Sequence, residues 1–176
     1  MKIVKIILLV LVIAIAAVVV GTLMQPDDYS VERHVEINAP AMVIFENVAN
    51  LNNWDKWDPW TEMEPDAKNS VTGSGEGMVR TWEGEEIGAG SLTLTKVVPG
   101  KAIETHLQFT APMESESWGW WKFEQADGKT KVSWGNKGNM DDFMTKFFSF
   151  TMNFEKMIAS QFDQGLVNLK KLSEGK

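Results

Sequence analysis

The pattern of hydrophobic and polar positions changes period along this chain, and the changes mark its elements. Ile6 to Met24 has no period at all. It runs 19 residues without a charge, and only Gly21, Thr22 and alanines dilute Ile, Leu and Val. From Tyr29 the pattern alternates. Val31, Val35 and Ile37 share one face and Glu32, His34 and Glu36 the other, which predicts a half-buried strand. Arg33 falls on the apolar face, either as a cavity group or as an edge residue reaching water. Asn38-Ala39-Pro40 ends that strand, and Pro40 suits the first turn of a helix. Ile44, Phe45, Val48 and Leu51 then recur at helical spacing.

Three tryptophans fall within seven residues, at Trp54, Trp57 and Trp60. The stretch to Asp66 is acidic and broken by proline, so it reads as a loop or a broken helix. These indoles either cap the core or form one mouth of a pocket. From Val71 onward the pattern is strands and turns. The strands are Met78–Trp82, Ser91–Val98, Lys101–Phe109, Met113–Gln125 and Lys129–Asn139. Turns at Pro99-Gly100 and Asp127-Gly128 are short, which predicts an antiparallel meander. Thr72-Gly-Ser-Gly-Glu-Gly77 lacks the Lys-Ser/Thr and the helix of a phosphate loop. Met140 to Met152, rich in Met and Phe, reads as a helical lead-in.

Asn153 to Ser173 predicts a long amphipathic helix. Phe154, Met157, Ile158, Phe162, Leu166, Leu169 and Leu172 form its stripe. Gly165 lies near the stripe's centre, with Gln161 and Asn168 beside it. Either Gly165 lets a strand approach and the amides sit at the stripe edge, or the helix closes a partly open cavity. One antiparallel sheet wrapped on this helix would bury both, an α+β architecture.

Charge and composition narrow the function. The formal net charge is −7, with no basic run, which argues against nucleic acid. No cysteine is present, so disulfides and thiolate metal sites are excluded. Eight tryptophans against one tyrosine suit apolar walls better than polar catalysis. The apolar run is close to the ~20 residues that span a bilayer. Lys2 and Lys5 precede it and Asp27 and Asp28 follow, so the positive-inside rule puts the N-terminus in the cytoplasm. The expected organisation is a transmembrane anchor over 1–24, a linker over 25–29 and a ligand-binding domain over 30–174. The expected location is a bacterial-type inner membrane, crossed once, with the domain on the periplasmic or extracellular side. A cleaved signal peptide is the competing reading.

Ser30-Val-Glu-Arg-His-Val-Glu-Ile-Asn-Ala-Pro40, Val43 to Phe45, Leu51-Asn-Asn-Trp54 and Trp57-Asp-Pro-Trp60 resemble the SRPBCC (START-like) superfamily, closest to its polyketide cyclase/dehydrase-like branch. Phe162-Asp-Gln-Gly165-Leu-Val-Asn-Leu-Lys-Lys-Leu172 fits the branch's last helix. The resemblance implies a helix-grip fold: a curved antiparallel sheet around the C-terminal helix, with a hydrophobic tunnel between them. It implies an apolar small molecule or lipid as partner, and it carries no shared catalytic motif.

The residues expected to line such a pocket are Trp57, Trp60, Phe109, Trp121, Trp134, Phe147, Met157, Gln161, Phe162, Gly165 and Asn168. No catalytic residue, metal ligand or cofactor is assigned. His34 and His106 both fall opposite the apolar residues of their strands. Three functions stay open. The first is a membrane-tethered binder or carrier of a hydrophobic molecule. The second is a cyclase- or dehydratase-like enzyme, with Glu114 and Glu116 nearest the tryptophan-rich strand. The third is a protein-interaction module of the co-chaperone type.

Overall fold

The structure, a computed structural model, describes residues 2–175; Met1, the first residue of the expected anchor, lies outside them. The apolar run forms helix α1 (Lys2–Leu23), which begins earlier than the uncharged stretch because Lys2 and Lys5 continue it. Nearly all its side chains are exposed, and its length and composition are those of a membrane span or a signal sequence.

Strand β1 (Asp28–Ile37) leads to α2 (Ala41–Ala49), a 3-10 turn (Leu51–Lys56) and α3 (Pro59–Met63). The tryptophan-rich segment is therefore two short helical pieces. The Asn50 side chain accepts from the Asn52 amide to start the first, and Pro59 occupies the first turn of the second. Six strands follow: β2 (Lys68–Thr72), β3 (Val79–Glu83), β4 (Ala89–Val98), β5 (Ala102–Ala111), β6 (Ser115–Ala126) and β7 (Lys129–Asn139). The sequence pattern misses most of β2, because Lys68-Asn-Ser-Val-Thr72 carries one apolar residue and forms the sheet edge.

The strands form one antiparallel sheet in the order β1-β7-β6-β5-β4-β3-β2. It is a meander whose first strand returns to the far edge. The chain ends in α4 (Phe143–Met152) and α5 (Phe154–Ser173). Asn153, at φ 50°, separates the two helices, so the lead-in and the long helix are not continuous.

Register decides which side chains face α5. Ile103, Trp121, Trp134 and Arg33 form one row across the concave face; Phe123, Val132 and Val35 form the next. Helix α5 lies over the β1–β7 side and also meets α2, α3 and the 3-10 turn. Phe162, Gly165, Leu166 and Leu169 are its buried residues. Arg33 reaches α5, where its Nε donates to Asp163 at 2.7 Å; with both side chains about half exposed, it is the water-reaching edge residue.

The convex face has its own aromatic layer. Trp120 lies over Gly135, where an added Cβ would sit 2.1 Å from the indole, and its Nε1 donates to Glu32 at 2.6 Å. His106 stacks on Trp118 at 5.5 Å and meets Glu116 at 3.0 Å.

The concave core predicts a sharp contrast in stability. Trp134→Ala should lower unfolding free energy by about 3–5 kcal/mol, as large buried aromatics do. His34→Ala, on the exposed face, should stay within about 0.5 kcal/mol. Urea unfolding followed by circular dichroism measures both.

Candidate functional site

The concave face has two unlike ends. At the end where β6 and β7 meet in their turn, aromatic rings fill the space between sheet and helix. Trp121 stacks on Trp134 at 4.4 Å, and Trp134 stacks on Phe162 of α5 at 4.0 Å. Trp57 meets Trp121 and Trp134 edge-on at 5.6 and 5.8 Å, and Trp60 meets Trp134 edge-on at 5.8 Å. Gly165 is explained here. A Cβ on it would lie 2.8 Å from the Trp134 ring and 3.0 Å from Pro59, so the missing side chain makes room for a close approach. The Asn168 amide is also occupied: it donates to the Trp57 carbonyl at 3.3 Å and to Glu62 at 3.0 Å, tying α5 to the tryptophan segment.

Beside this stack sits a buried ion cluster. Arg80 Nη1 donates to Asp58 Oδ2 at 2.9 Å, and Nη2 donates to Thr61 at 2.7 Å and to Asn69 at 3.1 Å. The pair fixes α3 against β3. Burial pushes the Asp58 carboxyl above the usual carboxylate range, against the opposing pull of Arg80, Thr61 and the Trp60 amide.

Across the middle of the sheet the floor turns small and polar. Thr105, Gly119 and Asn136 form one row, and Ser117, Gly138 and Tyr29 the next. The Tyr29 hydroxyl donates to Asn136 Oδ1 at 2.6 Å, and Asn136 Nδ2 donates to Ser117 at 3.2 Å. Phe154 covers Tyr29 edge-on at 5.1 Å. Burial pushes the Tyr29 phenol up, with the Ser117 hydrogen bond opposing it. The sequence reading missed this floor. Its signal is present all the same: Ser117, Gly119, Asn136 and Gly138 occupy core-facing positions where the pattern elsewhere puts large apolar groups.

At the opposite end the apolar side chains are left partly uncovered. Trp82, Gly90 and Phe109 share a row, with Leu107 in the row beneath. Trp82 meets Phe109 edge-on at 5.5 Å, and both rings and Leu107 are half-buried. The start of β1, the end of β7, the start of β6 and the end of β5 lie at this same end of the sheet, as the pairings Asp28–Asn139, Ser117–Gly138 and Phe109–Ser115 require. Helix α1, which runs into β1, therefore joins the domain at the open end.

Of the residues expected to line a pocket, Trp57, Trp60, Trp121, Trp134, Phe162, Gly165 and Asn168 come together, in close packing with one another. Phe109 stands at the open end. Gln161 is half-buried on α5, and Met157 on the same helix is 46% exposed. Phe147 lies away from the sheet, on α4 beside α1, because Asn153 breaks the chain's path into α5. Glu114 and Glu116 are exposed. Among the described residues, no three His, Asp or Glu side chains gather as a metal site. Two depressions lie outside the helix–sheet interface. One of about 510 Å³ runs between α1 and α4, and one of about 450 Å³ lies at the β2–β4 corner beside Trp82.

A curved seven-stranded antiparallel sheet holding a C-terminal helix defines the helix-grip, START-like class. The profile of the family described as polyketide cyclase / dehydrase and lipid transport matches residues 28–174, and the chain belongs to that family. Solved structures agree on the fold. The Zhui aromatase/cyclase from Streptomyces sp. R1128 is 18% identical with a TM-score of 0.63, covering 84% of this chain and 94% of that one. Protein CV1439 from Chromobacterium violaceum is 16% identical with a TM-score of 0.62, covering 85% and 99%. The Aha1 dimer from Colwellia psychrerythraea is 19% identical with a TM-score of 0.58, covering 83% and 96%. At these identities the likeness concerns the fold alone. A comparison with curated protein sequences returns no match.

Two substitutions test the closed end. Gly165→Ala should destabilise the protein despite a gain in helix propensity of up to about 1 kcal/mol, because the new methyl overpacks Trp134 and Pro59 at a cost of about 1–3 kcal/mol. Asp58→Ala should cost about 3–5 kcal/mol by leaving the buried Arg80 without its main partner. Thermal melts of both variants against wild type check the signs.

Proposed function

We propose that this protein is a membrane-tethered binder or carrier of a hydrophobic small molecule or lipid. Its expected parts are an anchor over 1–24, a linker over 25–29 and a binding domain over 30–174, with Asp28 and Tyr29 of that linker joining the domain as the start of β1. The observation that carries the reading is the division of the concave face. Aromatic stacking consumes one end, and the other keeps half-buried Trp82, Leu107 and Phe109 above a floor of small and polar side chains. An apolar wall with a few convergent polar groups is the usual make-up of a small-molecule site. Phe109, Met157 and Gln161 are the expected pocket residues of the sheet and α5 that stay outside the aromatic stack, joined by Trp82 and Leu107. The ligand's apolar body would lie against the rings, and a polar head would meet the amide of Gln161 or the hydroxyl-bearing floor.

Family membership and the fold support hydrophobic-ligand binding in general. The tether rests on α1, whose preceding Lys2 and Lys5 favour a cytoplasmic N-terminus and an external domain. The exposed Phe and Met side chains of α4 adjoin α1, which favours a lipid surface over a protein partner.

Binding is tested with the full chain in detergent and the apolar fluorophore N-phenyl-1-naphthylamine. Trp82→Ala and Phe109→Ala should each weaken binding at least fivefold, and His106→Ala, on the convex face, should leave it unchanged. Absence of binding, or equal effects from all three, contradicts the assignment. The tether makes a separate prediction. The protein should stay in the membrane pellet through an alkaline carbonate wash, and a mature N-terminus beyond Gly21 would identify a cleaved signal instead.

A further inference from the structure

We propose that α4 is a second membrane element, an interfacial helix that embeds in the lipid leaflet on the domain's side of the bilayer. The proposal rests on α1 being a membrane span, and goes beyond the tether by assigning α4 to lipid.

The primary observation is that α4 is inside out for a helix in water. Six of its ten residues, Phe143–Met152, are Phe or Met, and none of the ten is buried. Phe143 is 45% exposed, Phe148 38% and Met152 62%. The more sheltered residues are Thr145, Lys146 and Ser149, together with Phe147, which faces α1. At 100° per residue Thr145, Lys146 and Ser149 share one side of the wheel, and Phe and Met occupy the rest with Thr151 as the one polar residue among them. A surface helix in water has the opposite arrangement. A contiguous apolar face of this kind marks a site that something else covers.

The neighbour of α4 identifies the cover. Phe143, Met144 and Phe147 share the 510 Å³ depression with Ala14, Ile15, Val18 and Val19 of α1. Nearer the end of α1, the Phe150 ring lies against Gly21, where an added Cβ would be 2.6 Å away. Ala14 is nine residues from Leu23, or about 14 Å at 1.5 Å per residue. A bilayer that surrounds α1 must also meet the α4 side chains ranged along its last turns. The charges fit this placement. Lys146, on the sheltered side, pairs with Asp27 just beyond α1, and Asp142 caps the helix by accepting from the Thr145 amide at 3.0 Å. Neither charge belongs to the apolar face. Phe-rich helices of this type settle about 5–10 Å into the boundary between headgroups and acyl chains. The open end of the concave face lies at the same end of the sheet as α1, so this embedding turns the gap beside Trp82 and Phe109 toward the lipid.

The absence of cysteine among the described residues makes the test clean. Phe148→Cys, Met152→Cys, Leu11→Cys and Lys129→Cys are each prepared in the full-length chain and spin-labelled. They are then reconstituted in vesicles of palmitoyl-oleoyl phosphatidylcholine. Collision with oxygen reports lipid, and collision with a water-soluble nickel chelate reports solvent. The proposal expects the oxygen-to-nickel ratio at Phe148 and Met152 to exceed that at Lys129 at least tenfold, as at Leu11. Water-like values at Phe148 and Met152 with a lipid value at Leu11 overturn the α4 assignment and leave the anchor standing. Water-like values at all four positions overturn both. Shielding of α4 from both reagents, with spin–spin broadening between chains, shows a second copy in place of lipid and also overturns the proposal.

Discussion

The stack of Trp121, Trp134 and Phe162 is the contact on which the rest of this structure depends. It joins two adjacent strands to the C-terminal helix through nearly parallel rings, with interplanar angles of 20° and 13°. Trp57, pinned by the carbonyl of Asn47 to its indole N–H, closes the side of the stack. Buried aromatics of this size each remove about 150–250 Å² from water, on the order of 4–6 kcal/mol apiece at 25 cal/mol/Å². Gly165 exists so that α5 can come close enough for the stack to form. Asn168, Arg33 and Lys170 then hold the helix along its length, through Trp57, Asp163 and the Glu36 carbonyl.

That contact also decides where a ligand has room. A helix-grip fold would accommodate a tunnel along the whole concave face, but here aromatic rings take up one end. The partly uncovered side chains belong to the end where β1 begins and β7 finishes. There the side chains shrink to Ser117, Gly119 and Gly138 on the floor, and Trp82, Leu107 and Phe109 form a wall left half-buried. Because α1 enters β1 at this end, the same topology puts the partly uncovered wall at the α1 end of the sheet. The proposed binding and the proposed tether would then both follow from one strand order.

Much of this was legible in the sequence. Alternation gave β1 and the meander, Pro40 marked the start of α2, and the wide apolar stripe gave α5. The resemblance of residues 30–60 and 162–172 to START-like proteins pointed to the right fold. The site was legible only in part, because periodicity assigns a residue to a face but not to a position along it. Trp57, Trp121, Trp134 and Phe162 all lie on the inner face, yet their packing against one another becomes visible only once strand register is known. Gly165 carried two readings for the same reason, and its neighbours Trp134 and Pro59 favour close approach. The floor of Tyr29, Ser117 and Asn136 was overlooked because isolated polar residues in strands usually mark the wet face. Asn153 hid the separation of α4 from α5, since a single left-handed residue barely disturbs a hydrophobic pattern.

The eight tryptophans provide the most direct measurement of the divided concave face. In the protein labelled with 5-fluorotryptophan, each indole gives a fluorine resonance that single substitutions assign. On titration with oleate as an apolar probe, the Trp82 resonance should move, while those of Trp57, Trp121 and Trp134 should hold their positions. Shifts at Trp121 and Trp134 as large as those at Trp82 would contradict the division, because the ligand would then have entered the end that the stack is argued to close.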